Sequence, residues 1–149
     1  MAQATVRAAV AEAARLLPGL PLVAGGKSFG GRMTSQTQAD APLPGVRGLA
    51  FLGFPLHPAG RPSDERGEHL ARVAVPMLFL QGTRDALADP ALLAPLCARL
   101  GPRATLRFFE DADHSFRVPA RSGRTGAAVM AELTEALASW IDGLASGGP

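Results

Sequence analysis

The spacing of apolar residues along the chain predicts that helices and strands alternate. Residues 3–17 carry apolar side chains at helical spacing, which predicts an amphipathic helix that ends at Pro18 and Gly19. The apolar run Leu20–Ala24 predicts a short buried strand. A second helix is expected from Ser28 to about Gln38. Two glycines in its first turn imply that this helix packs closely against a sheet.

The rest of the chain continues the alternation. Strands are expected at Gly48–Phe54, Pro76–Leu80 and Ala104–Phe109, and helices at 67–73, 90–100 and 125–143. Because the first three strands are continuously apolar, we expect a mostly parallel sheet of about four strands covered on both faces, which is a doubly wound α/β fold. We expect one domain over residues 1–149, without internal repeats and with a flexible tail at 144–149.

Composition excludes several classes of protein. The chain is 47% hydrophobic and 19% charged, which is typical of a globular protein and not of a disordered one. Its formal net charge is only +2 and its arginines are scattered, so nucleic-acid binding is not expected. The single cysteine, Cys97, leaves no disulfide within the chain and no metal-binding cysteine pair. Neither a signal peptide nor a membrane-spanning run is recognisable, so we expect the cytoplasm and no membrane partner.

A G-x-S-x-G pattern follows the first predicted strand, as Gly26-Lys27-Ser28-Phe29-Gly30. Between a strand and a helix, this pattern makes a sharp turn that exposes the serine Oγ at the helix N-terminus. Taken alone, the pattern fits a helix-capping serine equally well. A phosphate-binding loop is not expected, because Pro21 stands where that motif requires glycine.

Two further residues favour a nucleophilic serine. A serine hydroxyl needs a base to take its proton, and the base needs a carboxylate to orient it. Asp85 follows the third predicted strand and His114 follows the fourth. The order Ser28, Asp85, His114, with each residue after a different strand, is the order of nucleophile, acid and base in α/β-hydrolases. Such chemistry requires neither a metal nor an organic cofactor.

Some of the acidic residues have structural interpretations. Asp89 competes with Asp85 for the role of the acid, but its position before Pro90 is better explained as a helix N-cap. Asp111 and Asp113 are expected to be solvated turn residues rather than metal ligands.

The roles of two further residues remain open: His57, which follows the second strand, and Lys27, which precedes the serine. His57 contacts substrate or is a structural histidine held by the flanking prolines. Lys27 sets a preference for substrate charge or only shapes the turn. A third basic residue, His69, lies in a polar stretch and is expected to be exposed.

Four segments carry a resemblance to a known family: GGKSFGGRM, FLGFPLHPAGRP, LFLQGTRDAL and DADHSF. They span roughly residues 20–143 and resemble the α/β-hydrolase superfamily, within it a dienelactone-hydrolase-like group of hydrolases. The resemblance implies that Ser28 is the nucleophile, Asp85 the acid and His114 the general base. It also implies a small-molecule acyl substrate and the cleavage of an ester, thioester or related bond.

The resemblance is incomplete at the beginning of the chain. Such hydrolases carry further strands and an HGxGG loop before the serine, and this loop supplies half of the oxyanion hole. No such loop precedes Gly26, whereas the Phe29 N–H is expected to supply one oxyanion donor. We therefore expect either a truncated gene model or a partner, such as a second copy in a homodimer, that covers the edge at residues 20–24. The alternative function is a catalytically weak or inactive hydrolase-like interaction module that assembles through this edge.

Overall fold

Four parallel strands form one sheet in the order β1-β2-β3-β4 in the computed structural model, which describes residues 1–147. The strands are β1 (Leu22–Lys27), β2 (Val46–Leu52), β3 (Met77–Gly82) and β4 (Ala104–Phe109). The α-helices are α1 (Ala2–Leu16), α2 (Phe29–Asp40), α3 (Pro90–Leu100) and α4 (Gly126–Ser146). Short 3₁₀ helices lie at Glu65–Arg72, Gly101–Arg103 and Ala120–Ser122. The α/β fold predicted from the hydrophobic pattern is confirmed.

The helices cover both faces of the sheet. One core lies on the face of α1, α2 and α3, where three phenylalanines pack together with ring centroids 4.9–5.8 Å apart (Phe51, Phe54 and Phe79). The other core lies between the sheet and α4, around Leu80, Phe109 and Val129. All six residues of β3 are buried, as a strand in the middle of a covered parallel sheet requires. The loops that follow the carboxyl ends of the strands therefore all lie at the same end of a well-packed sheet.

Strand β1 differs from the predicted strand both in its residue bounds and in how much of it is buried. It extends through Gly25, Gly26 and Lys27, which pair with β2, whereas the sequence pattern suggested that they begin the turn. Glycine is required at Gly25 because a Cβ there would overlap the carbonyl oxygen of Ala50 on the neighbouring strand. As an edge strand, β1 is only half-buried, so the prediction of a fully covered strand is wrong for β1.

Helix α2 packs closely against β1 through one of its two early glycines. A Cβ on Gly31 would lie 2.6 Å from the carbonyl oxygen of Gly26, so only glycine fits. A Cβ on Gly30 would meet no atom within 4 Å, so the packing reason expected for both glycines holds for Gly31 alone.

The final helix is longer than predicted. Helix α4 begins at Gly126 after an N-cap by Thr125, whose side chain accepts a hydrogen bond from the N–H of Ala128. It continues to Ser146, so residues 144–146 of the expected tail are helical. Gly148 and Pro149, the end of that expected tail, lie outside the described residues. None of the helices within residues 1–147 has the length and apolar character needed to cross a membrane.

His69 is buried, and the expectation of an exposed histidine is wrong. Its Nε2 lies 2.7 Å from the Oγ of Ser35 on α2, and Ser35 in turn donates to the carbonyl oxygen of Arg32. Burial and the charges of Arg32 and Arg72, partly offset by Asp40, lower the pKa of His69 to about 4. The short segment Glu65–Arg72 is a 3₁₀ helix, and its spacing therefore differs from the α-helical spacing used for the prediction.

This buried histidine predicts that the protein loses stability in mild acid. A group whose pKa is lower in the folded state binds its proton more readily when unfolded. The contribution of His69 to the free energy of unfolding is complete above pH 6.5. It decreases by up to about 3 kcal/mol as the pH falls towards 4. Urea unfolding of the wild type and of His69→Gln at pH 7, 5.5 and 4.5 measures this difference. Equal pH dependence in the two proteins would contradict the assignment.

Candidate active site

Ser28 lies at the sharp turn between β1 and α2. Its backbone has φ 50° and ψ −123°, a positive-φ conformation outside the left-handed helical region that is strained for a residue with a side chain. The Ser28 N–H donates to the carbonyl oxygen of Leu52, which anchors the turn to β2. Phe29 is the first residue of α2, so its N–H has no acceptor within the helix. The turn thus presents a hydroxyl beside an N–H donor at the positive end of a helix dipole.

Ser28, His114 and Asp85 form one continuous line of hydrogen bonds. The Oγ of Ser28 lies 2.8 Å from Nε2 of His114, and Nδ1 of His114 lies 2.7 Å from Oδ2 of Asp85. A carboxylate accepts, so Nδ1 carries the proton and Nε2 is left to accept the serine hydroxyl. The structure therefore brings together all three residues that the sequence pointed to, with the histidine in the tautomer of a general base.

The carboxylate of Asp85 is removed from solvent. Its side chain has no exposed surface, and its Oδ1 accepts the N–H of Leu87 at 2.8 Å. Asp89, the competing candidate, has the structural role expected of it, because its side chain accepts the N–H of Ala91 and caps α3. Of these two candidates, Asp85 is the carboxylate in contact with His114.

The loop that carries His114 is braced on two sides. Oδ1 of Asp113 accepts the N–H groups of Ser115 and Arg117, at 2.8 and 2.9 Å. Burial opposes the ionisation of Asp113, but these two N–H groups, with the charges of Arg117 and His114, hold the pKa of Asp113 below its usual value. On the other side, a Cβ on Gly53 would lie 3.3 Å from the His114 ring, so the close approach of backbone to ring favours glycine there.

His57 is a buried residue with both ring nitrogens engaged. The N–H of Asp89 donates to Nε2 at 2.8 Å, so the proton lies on Nδ1, which donates to the carbonyl oxygen of Pro58 at 2.9 Å. No ring nitrogen is left for a substrate. The geometry thus favours the structural alternative over substrate contact for His57.

Lys27 and Phe29 flank Ser28 with exposed side chains. Nζ of Lys27 donates to Oγ of Ser115, the neighbour of His114, at 3.4 Å, which places a cation beside the loop of the histidine. The ring of Phe29, the residue after the serine, is 60% exposed. A charged and an apolar side chain, both exposed, therefore precede and follow Ser28 in the chain.

Gln81 belongs to the site and was missed by sequence reasoning. It is fully buried near the end of β3, and its Nε2 donates to Oδ2 of Asp85 at 2.5 Å. The available signal was a lone polar residue in an otherwise apolar buried strand. Within residues 1–147, no group of three or more histidine, cysteine or acidic side chains is arranged to hold a metal ion.

Comparisons with known proteins agree with the fold. The model of the family described as alpha/beta hydrolase domain matches residues 2–142. A monoacylglycerol lipase from Paleococcus ferrophilus is 15% identical, with a TM-score of 0.68 over 96% of this chain and 74% of its own. XC6422 from Xanthomonas campestris, a serine hydrolase without a lid, is 24% identical, with a TM-score of 0.64 over 93% of this chain and 56% of its own.

The solved structures share the fold but are longer than this chain. The chain spans 48% of an alpha-beta serine hydrolase homologue from Coxiella burnetii, with a TM-score of 0.58 and 18% identity over 72% of this chain. At such identities the structural likeness shows the fold alone, whereas the family model covers almost the whole sequence. On that match, the chain belongs to the alpha/beta hydrolase domain family.

Proposed function

We propose that this chain is a serine hydrolase that cleaves an ester, thioester or related acyl bond of a small molecule in the cytoplasm. The observation that carries the proposal is the line of hydrogen bonds from Ser28 through His114 to Asp85, which starts at a strained serine in front of a helix. Membership in the hydrolase family supports hydrolysis in general. The proposal requires no metal and no organic cofactor.

The proposed reaction has two stages. The Oγ of Ser28 attacks the acyl carbon, and His114 takes the hydroxyl proton and passes it to the leaving group. Water activated by His114 then releases the acyl group from the serine. Asp85 stabilises the imidazolium that forms in each stage. The N–H of Phe29 donates to the oxyanion, whose charge the N-terminus of α2 also favours.

Covalent labelling tests the nucleophile directly. A fluorophosphonate probe is expected to label the protein once and at neutral pH, because it reacts with serines activated by a base. Trypsin cuts after Lys27 and Arg32, so the label falls on the peptide of residues 28–32, which contains a single serine. Mass spectrometry of that peptide identifies the site. A label on any other serine would contradict the assignment.

A second candidate function is that of an interaction module. Apolar depressions flank the free edge of β1 on both faces, with volumes of about 400 Å³ beside α1 and about 370 Å³ beside α4. Helix α1 has no buried residue, and Leu20 is 60% exposed nearby. An added strand would place alternate side chains in the two depressions. A folded protein that resists the probe and elutes as a dimer would favour this function over hydrolysis.

A further inference from the structure

Gln81 connects the acid of the site to the backbone beyond β2. It is fully buried, as are the side chains around it in β3. Its Oε1 accepts the N–H of Phe54 at 2.9 Å, and its Nε2 donates to Asp85. Phe54 follows Gly53, the residue against which the ring of His114 lies. A single side chain therefore links the acid to the segment that supports the base.

The chemistry of the partners fixes the orientation of the Gln81 amide. A backbone N–H can only donate, so the oxygen of the amide has to face Phe54. The NH₂ group then has to face Asp85, and a donor on that side requires an oxygen that accepts. The arrangement consequently favours the charged, acceptor-only form of the Asp85 carboxylate over the protonated form.

Two donors share one oxygen of that carboxylate. Oδ2 of Asp85 accepts both Nε2 of Gln81 and Nδ1 of His114, at 2.5 and 2.7 Å, while Oδ1 accepts the N–H of Leu87. Since the side chain has no exposed surface, water does not replace any of these donors. Each of them therefore contributes to holding a buried negative charge.

We propose that Gln81 is a positioning residue that holds Asp85 charged and limits how readily the Asp85–His114 pair takes up a proton. This inference deepens the proposed function and rests on it for its effect on the reaction. Without the amide donor, the negative charge on Oδ2 is less stabilised and attracts a proton to the pair more strongly. His114 is then protonated, and unable to act as a base, at a higher pH.

The variant Gln81→Met tests this role, because methionine has a similar length and no strong donor. We expect the acid limb of the pH profile of fluorophosphonate labelling to move upward by about one pH unit, which corresponds to one hydrogen bond to a charged group. Gln38→Met is the matched control. Gln38 is also buried, and its Oε1 accepts the N–H of Leu43 at 2.8 Å away from the site. The control is expected to lose stability without any movement of the acid limb.

A second variant covers the case in which Gln81→Met does not fold. Gln81→Leu also removes the amide donor to Asp85 and introduces no other donor, so the acid limb is expected to move in the same direction. An acid limb that stays at the wild-type pH in the folded variant overturns the inference.

Nuclear magnetic resonance separates failure of the inference from failure of the proposed function. The Cε1–H signal of His114, one of only three histidines, can be followed against pH without any turnover. The pH at which this signal changes is the titration midpoint of His114. If the wild type is never labelled but this midpoint rises in Gln81→Met and not in Gln38→Met, the proposed function fails and the role of Gln81 stands. If the wild type is labelled and the titration midpoint of His114 is the same in all three proteins, the role proposed for Gln81 is wrong.

Discussion

Ser28→Ala is expected to lower the turnover of a simple ester, such as p-nitrophenyl acetate, by about 10⁶-fold. The alanine removes the oxygen that lies 2.8 Å from His114, and no covalent intermediate can then form. The N–H of Phe29 and the binding surface stay in place, so a small residual rate above that in water is expected. Turnover is measured under saturating substrate, with Ser146→Ala as the control, because Ser146 lies at the far end of α4.

The residues of the hydrogen-bonded line are also expected to act as one unit. His114→Ala removes the base, and its loss is expected to be comparable to that of Ser28→Ala. The double variant should be no slower than either single variant, since the second change removes nothing that still functions. A Ser28→Ala protein that keeps a tenth or more of the wild-type rate would show that another group attacks the substrate.

Gly25→Ala is expected to destabilise the fold by more than about 4 kcal/mol. The new methyl group would overlap the carbonyl oxygen of Ala50, and main-chain atoms of a paired strand cannot move aside as a flexible side chain does. Separation of β1 from β2 would also remove the hydrogen bond that anchors Ser28 to Leu52. Urea unfolding monitored by circular dichroism measures the change.

Gly30→Ala provides the matched control for that variant. It introduces the same methyl group into the first turn of α2, where no atom lies within 4 Å. Because alanine favours a helix more than glycine does, this change is expected to stabilise the protein by up to about 1 kcal/mol. If the two variants unfold at the same urea concentration, the close approach of β1 to β2 does not limit the residue at position 25.

The order of the elements and the three residues at the strand ends could be predicted from the sequence. Each apolar strand was followed by a loop with a distinct chemical group, and parallel strands bring such loops to the same edge of the sheet. Ser28, Asp85 and His114 are 57 and 29 residues apart along the chain, but their strands all end at the same end of the sheet. The loop after β4 then passes close to Gly82 after β3 and Gly53 after β2, which brings His114 into contact with Asp85 and Ser28. Spacing and topology were sufficient for this part of the site.

Side chains that depend on tertiary contacts could not be predicted in the same way. Gln81 is bound to Phe54 and Asp85 only once β2 and β3 are paired, and a single polar residue in a strand does not indicate its partner. The burial of His69 depends on a 3₁₀ helix packing against Ser35. The extent of β1 depended on the pairing of two glycines with β2, although glycine is unfavourable in isolated strands.

The strand order β1-β2-β3-β4 has a consequence for synthesis of the protein on the ribosome. Each strand after β1 pairs with one that has already been made, so the sheet can grow as the chain emerges. Ser28 is synthesised first and His114 last, after β4. During translation the Oγ of Ser28 therefore has no His114 beside it until β4 and the loop that follows it join the sheet.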